Sequence, residues 1–203
     1  MLRTLADRHV RAPSGARQIV RMTDSESHSR KSRVAWRLGY LIASLGIYLM
    51  DQSSKAWAVR RLRFADQTII KGVLDFVYAE NPGIAFGQLQ EGGAFGRWFF
   101  VVLAALAAVA VFVYFVRTPR TDDRVLGACA LLLAGILGNL TDRVRLGFVI
   151  DFILVHAGQY RWPAFNVADA SILIGASLLA YDLIFANRKA KDTANPRPIT
   201  TDH

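Results

Sequence analysis

Apolar residues of this chain gather into four long segments, and polar stretches separate them. A helix needs about 20 apolar residues to cross a hydrocarbon core about 30 Å thick, and about 17 is the practical minimum. Two segments of nineteen and seventeen residues contain no charged residue at all, Trp98–Val116 and Val125–Thr141. Val34–Met50 is interrupted only by Arg37, whose long side chain can extend to the interface. The last segment is Phe165–Phe185. The pattern predicts an all-α membrane protein with four transmembrane helices.

The stretches between these segments predict smaller elements. Gln67–Glu80 alternates weakly between apolar and polar residues around Lys71–Gly72, which predicts one or two short strands. Ala56–Phe64 is typical of an interfacial amphipathic turn of helix. Residues 1–33 hold eight Lys/Arg and no apolar core, so they do not match a secretory signal peptide. We predict a disordered basic tail over residues 1–33, a membrane domain over 34–186 and a second tail over 187–203.

Charge placement predicts the orientation in the membrane. Residues 1–33, the link 117–124 and the tail 186–203 carry eight, three and four Lys/Arg, more densely than loops 52–97 and 142–164. The positive-inside rule therefore places both termini in the cytoplasm. The net charge of +9 would otherwise suggest a nucleic acid partner, but the uncharged apolar runs argue for a membrane instead. A single cysteine, Cys129, excludes an internal disulfide framework.

With this orientation, polar residues meet at one end of the predicted bundle. They follow the first and third segments, precede the fourth, and interrupt the apolar loop between the third and fourth. A charged Asp inside a membrane costs up to about 3 kcal/mol, so such residues are expected to face the bundle interior. The residues are Asp51, Lys55, Asn139, Asp142, Arg143, Asp151, Asn166 and Asp169.

Asp151 and Asp169 are the strongest candidates for catalysis. Asp151 lies between the apolar runs 148–150 and 152–155, where a carboxylate is costly. Two carboxylates in one poorly hydrated site share a proton, so that one acts as base and the other as acid toward a water molecule. Salt bridges and caps explain Asp51–Lys55 and Asp142–Arg143 at least as well.

Other chemistries lack their residues. The sequence has no HExxH, no GxSxG and no phosphate-binding glycine loop, and its four histidines are scattered. We therefore expect no metal and no cofactor. Two alternatives stay open: a small transporter with membrane carboxylates, and a non-catalytic assembly factor in which the Asp/Asn cluster joins helices.

Four strings, in order and at matching spacing, make the chain resemble the lipoprotein signal peptidases (signal peptidase II), aspartic peptidases of the bacterial inner membrane. They are Asp51–Lys55, Asn81–Gly87, Gly138–Arg143 with Gly147–Asp151, and Phe165–Asp169. The resemblance implies a four-helix bundle with a small periplasmic β-cradle and a periplasmic helical lid. It also implies removal of signal peptides from diacylglyceryl-modified prolipoproteins, just before the lipidated Cys, and inhibition by globomycin.

The resemblance assigns roles residue by residue. It implies that Asp151 and Asp169 are the catalytic pair at the periplasmic face, with lipid and prolipoprotein as the partners of a monomer. The remaining matched positions support the site or the substrate: Asp51, Lys55, Asn81, Gly83, Asn139, Asp142, Arg143 and Asn166. Two features depart from the family, the long basic N-terminal extension and Pro82, which replaces the Thr of an Asn-Thr-Gly turn and lacks a backbone N–H. The N-terminal dipole of the fourth helix favours an ionised Asp169, which nominates it as the base.

Overall fold

A computed structural model describes residues 14–83, 94–119 and 121–194, and the side chains within 36–83, 96–119 and 121–185. The chain divides into two units, residues 1–38 and 39–203. The functional site lies entirely within the second unit. The elements in chain order are α1 Ser14–Leu62, β1 Gln67–Ile70, β2 Leu74–Asn81, α2 Ala94–Arg117, α3 Asp123–Arg145, β3 Val149–Ala157, β4 Tyr160–Arg161 and α4 Val167–Ala194.

Helix α1 begins well before the predicted first segment. Its backbone is helical from Ser14, so residues 14–33, predicted as a disordered tail, belong to a helix in this structure. The local sequence permits the helix, because 14–33 contains no proline and only one glycine, Gly15. Residues 56–62, predicted as a separate interfacial turn, continue the same helix.

Three helices in the described part of the chain are long and apolar enough to cross a membrane. They are Gly96–Arg117, Asp123–Arg145 and Val167–Phe185, which correspond to the predicted second, third and fourth segments. Side chains of α3 are mostly buried, whereas those of α2 and α4 are mostly exposed. Large apolar residues such as Phe99, Leu103 and Leu106 are more than half exposed on α2, as expected for a surface that faces lipid. The first of the four predicted spans stays a prediction.

A small antiparallel sheet in the order β1-β2-β3-β4 accompanies the helices. The predicted strands around Lys71–Gly72 are confirmed as β1 and β2. In the ladder between β2 and β3, Ala79 pairs with Asp151 and Asn81 pairs with Val149. Ala79 and Asn81 point to the same side of the sheet, so Asn81 is a diagonal neighbour of Asp151.

The sheet packs on the end of α1 through aromatic rings. Trp57, Phe76 and Phe152 meet edge to face with centroids 5.5 to 6.3 Å apart. Ile150 and Phe152 are buried in this cluster. Because side chains alternate along a strand, Asp151, between them, points to the opposite side of β3.

Glycines let α3 and α4 approach each other closely. A Cβ at Gly135 would collide with the carbonyl oxygen of Ala168, and a Cβ at Gly175 would lie 2.9 Å from that of Ala128. Small residues at such contacts are typical of membrane helix pairs. This approach brings the end of α3 against the start of α4, where the site lies.

The helical lid implied by the resemblance is untested. No separate lid helix occurs between β2 and α2 in the residues that the structure describes, and residues 84–93 lie outside them. Positions 84–87 of the second matched string lie in this same excluded range.

Candidate active site

All ten predicted site residues belong to one connected group of contacts. Helix α1 supplies two of them, the end of β2 and its turn two, α3 three, β3 one, and the start of α4 two. In that order they are Asp51 and Lys55; Asn81 and Gly83; Asn139, Asp142 and Arg143; Asp151; Asn166 and Asp169.

Asp151 is a buried carboxylate with two amide donors. It is 2% exposed, and its Oδ2 and Oδ1 accept from Nδ2 of Asn81 at 2.9 Å and from Nδ2 of Asn166 at 2.7 Å. Burial raises the pKa of Asp151 to about 6. The neighbouring charge of Asp169 raises this pKa further, while the two amides and Lys55 act in the opposite direction. A carboxyl group with a pKa of about 6 can both give and take a proton close to neutral pH.

A turn holds the Asn81 amide in place. The backbone N–H of Gly83 donates to Oδ1 of Asn81 at 2.8 Å, which leaves Nδ2 free to donate to Asp151. Gly83 has φ +82°, and a Cβ there would lie 3.1 Å from the Phe100 ring. The turn forms with Pro82 in it, because the donor comes from Gly83 and not from the proline position.

Asp169 lies in the first turn of α4, in a reciprocal cap. Its backbone N–H donates to Oδ1 of Asn166 at 2.9 Å, and the N–H of Asn166 donates to Oδ2 of Asp169 at 3.2 Å. This is the geometry of a capping box, with Asn and Asp in the two positions. Nδ2 of Asn139 donates to Oδ1 of Asp169 at 2.7 Å. Asp169 is only partly buried, so it is the more accessible carboxyl group of the two.

Asn166 joins the two carboxylates. Its side-chain amide donates to Asp151, and its backbone N–H donates to Asp169. It is fully buried, and its Oδ1 is occupied by the Asp169 N–H, so its amide orientation is fixed. The prediction that Asp151 and Asp169 share one site agrees with these contacts.

A cluster of buried charged side chains lies next to Asn139 and the start of α4. Nζ of Lys55 lies 2.9 Å from Oδ2 of Asp51, as predicted, and 2.9 Å from Oδ2 of Asp142. The other oxygen of Asp51 accepts from the backbone N–H of Ala168 at 2.9 Å, which ties α1 to the start of α4. For Asp142, the alternative of a salt bridge agrees with this contact, although its partner is Lys55 and not the adjacent Arg143. Neighbours at i and i+1 on a helix do not face each other, and Asp142 turns to Lys55 instead.

Arg143, on α3, places its guanidinium group near the two carboxylates of the site. Its guanidinium stacks 5.5 Å from the centroid of Phe100, and one terminal nitrogen lies 3.5 Å from the carbonyl oxygen of Asn139. Its Nε is buried and has no hydrogen-bond partner among the described residues. The positive charge acts on the carboxylates of Asp142, Asp151 and Asp169.

Gln52 is a site residue that the sequence reasoning missed. Its Nε2 lies 3.1 Å from Oδ2 of Asp51, 3.2 Å from Oδ1 of Asp142 and 3.2 Å from the carbonyl oxygen of Gly138. The available signal was its position within the first matched string, three residues before Lys55. Among the described residues, no group of three or more His, Cys, Asp or Glu is placed to hold a metal ion. The expected lack of a metal stays a prediction.

Comparisons with known proteins give one consistent result. A family model described as signal peptidase (SPase) II matches residues 43–185. A lipoprotein signal peptidase of Pseudomonas fluorescens is 42% identical over 161 residues, which covers 78% of this chain and 94% of that protein. One of Pseudomonas syringae pv. tomato is 43% identical over 162 residues, with 78% and 92% covered. A solved structure described as a bacterial membrane enzyme, at 2.3 Å resolution, superposes with a TM-score of 0.64 and 28% identity, covering 81% of this chain and 94% of that one.

Proposed function

Because this chain belongs to the signal peptidase II family, and is thus an aspartic peptidase that removes signal peptides from lipoproteins, we propose that its substrates are diacylglyceryl-modified prolipoproteins. Cleavage falls just before the lipidated Cys, and Asp151 and Asp169 activate the attacking water. The observation that carries this proposal is the joint hydrogen bonding of both carboxylates by Asn166. Lys55 is paired with Asp51 and Asp142, so it leaves the pair Asp151 and Asp169 to share protons.

The two aspartates have distinct roles in this proposal. Asp151 is protonated and donates to the scissile carbonyl, then gives its proton to the leaving amine. Asp169 is ionised and takes a proton from water. The raised pKa of Asp151 supports the first role, and the N-terminal dipole of α4, with the Asn166 N–H and the Asn139 amide, supports the second.

The site's place in the bundle fits a lipid-bearing substrate. It lies at the end of α3 and the start of α4, both of which are candidate membrane spans. Acyl chains can stay between apolar helix faces in the bilayer while the peptide bond reaches the carboxylates. We propose that the protein lies in the bacterial inner membrane, with its site at the periplasmic face and both termini in the cytoplasm, as the distribution of basic residues predicts.

A cleavage assay tests the proposal. Purified protein in detergent is mixed with a diacylglyceryl-modified prolipoprotein, and with the same precursor lacking the lipid. We expect cleavage of the lipidated form only, and its inhibition by globomycin. The proposed substrate class is wrong if both precursors are cut equally or neither is cut.

Matched variants test the catalytic pair. Asp151→Asn and Asp169→Asn should each abolish turnover, and the double variant should be no worse than either, because the two groups act as a unit. Asp75→Asn, in the same sheet, and Asp182→Asn, on the same helix as Asp169, make the same chemical change outside the site and should retain activity. The assignment fails if a folded Asp151 or Asp169 variant keeps activity within about tenfold of the parent, which is a barrier change of only ~1.4 kcal/mol.

A further inference from the structure

The buried ammonium of Lys55 takes no part in the proposed hydrolysis. Only one side chain, that of Asn139, separates it from Asp169. Lys55 is 2% exposed, and its Nζ lies 2.9 Å from a carboxylate oxygen of Asp51, 2.9 Å from one of Asp142 and 2.9 Å from Oδ1 of Asn139. An ammonium has three N–H groups, so each of them has an acceptor. A buried ion pair is weak evidence for stability on its own. The third contact, to a neutral amide, is therefore the informative one.

We infer that Lys55 is a positioning residue: by donating to Oδ1 of Asn139, it fixes that amide with its Nδ2 directed at Asp169. This inference rests on the proposed function, because it assumes that Asp169 is the ionised base. Two hydrogen bonds connect Lys55 to Asp169. Nζ of Lys55 donates to Oδ1 of Asn139 at 2.9 Å, and Nδ2 of Asn139 donates to Oδ1 of Asp169 at 2.7 Å.

Lys55 is one of two donors to Oδ1 of Asn139. A reversed amide would point its oxygen at the carboxylate of Asp169, where two acceptors repel each other. The other donor to Oδ1 of Asn139 is Nδ2 of Asn166, at 3.2 Å. That NH2 group also serves Asp151 at 2.7 Å and the carbonyl oxygen of Ile150 at 3.3 Å, so two hydrogens are divided among three acceptors. The charge-assisted contact from Lys55 is the stronger of the two.

Asp169 also has charged neighbours other than those that it reaches through Asn139. Asp151 faces it from β3, and Arg143 faces it from α3. Lys55 reaches Asn139 from α1 and pairs there with Asp51 and Asp142. A substitution at position 55 thus changes both the amide and the local charge, and a test must separate the two effects.

A pair of variants with controlled charge makes that separation. The cluster of Lys55, Asp51 and Asp142 has a formal charge of −1 in the parent. The double variant Lys55→Met with Asp142→Asn also has −1, so it removes the donor to Asn139 at constant charge. Asp142→Asn alone keeps Lys55 on Asn139 and removes one negative charge. Asn139→Leu, a second route, removes the amide and keeps Lys55 with its two carboxylates.

The readout is the pH profile of kcat/KM for cleavage of the lipidated precursor, with thermal melting in the same detergent. Loss of the amide donor leaves the ionised base less stabilised, so the acid limb should move up by about one pH unit in the double variant and in Asn139→Leu. Asp142→Asn alone should leave the acid limb in place or move it down, since it removes a negative charge near Asp169. A lower melting temperature with an unmoved acid limb is the signature of a purely structural role.

The outcomes are distinct. An upward shift in the double variant supports the inference, while Asn139→Leu, which keeps Lys55, tests whether the amide acts on Asp169 at all. An acid limb within 0.2 pH units of the parent in whichever of these variants is folded, a threshold of roughly 0.3 kcal/mol, overturns it. If the parent itself does not cleave the lipidated precursor, the proposed function fails, and that result is separate from the comparison among variants.

Discussion

At the scale of single residues, Asp151 links the chemistry of the site to the stability of the fold. An unfolded Asp has a pKa of about 3.9, and burial raises that of Asp151 in the folded protein to about 6. A raised pKa means that the contribution of Asp151 to stability is fully present below about pH 4 and is lost as the pH rises through about 6. The loss amounts to about 3 kcal/mol at most.

Asp151→Asn should remove this pH dependence. Asparagine stays neutral, so the melting temperature of the variant minus that of the parent should increase between pH 4 and pH 7. Ionisable groups that do not interact with Asp151 cancel in this difference. Melting curves at four pH values in one detergent measure it. A difference that is constant across the range would show that the Asp151 carboxyl is not destabilised by its burial.

A second prediction at this scale concerns Asn81. Its amide lowers the pKa of Asp151 by donating to the carboxylate. Asn81→Ala should therefore raise this pKa and move the basic limb of the pH profile of kcat/KM to higher pH, because Asp151 must be protonated to act as the acid. Glu80→Gln, whose carboxylate accepts from Tyr78 instead, is the control. A basic limb that moves down in Asn81→Ala would contradict the role given to Asp151.

The sequence could supply the identity of the site residues but not all of their partners. The matched strings indicated ten residues, and the structure connects all ten. The pairing of Asp142 with Lys55 depends on how α1 lies against α3, which no local spacing encodes. Gln52 was missed for the same reason, since two of its three contacts reach across to α3.

At the scale of elements, the hydrophobic pattern did not identify strand β3. Its residues 149–155 are apolar except for Asp151, and a short apolar run without alternation is compatible with a buried strand or a helical segment alike. The β1–β2 pair was predictable, because Gln67–Glu80 alternates around Lys71–Gly72, and Gly72 does take φ +80° in the turn. The membrane helices were predictable from length and apolar character alone.

The close contact between α1, α3 and α4 depends on Gly138. A Cβ there would lie 2.6 Å from Oδ2 of Asp51 and 3.1 Å from Cβ of Ala168. Gly138→Ala should therefore destabilise the protein by about 1–3 kcal/mol, as overpacking does, and should lower turnover by displacing Asp51. Gly46→Ala is the matched control, because nothing lies within 4 Å of a Cβ at that position. Melting temperature and initial rate measure both effects, and equal values for the two variants would refute the argument.

At the scale of the whole molecule, we predict the membrane orientation from the distribution of basic residues along the chain. The link after α2 and both ends of the chain are rich in arginine and lysine. The positive-inside rule predicts that the turn between β3 and β4, at Gly158, lies on the opposite side of the membrane. A periplasm-active reporter fused after Val116 should be silent, and one inserted at Gly158 should be active. The reverse pattern would place the site in the cytoplasm.

The last prediction concerns the N-terminal segment, which is helical from Ser14 and contains none of the ten predicted site residues. The family match begins only at residue 43, and the unit that holds the site begins at Gly39. Deleting residues 2–30 should therefore leave the specific activity in detergent within about twofold of the parent, a difference of roughly 0.4 kcal/mol in barrier. The deletion also removes six of the eight N-terminal basic residues, so insertion is scored separately with the Gly158 reporter. A collapse in turnover, in protein that is folded and correctly inserted, would show that this segment acts on the site.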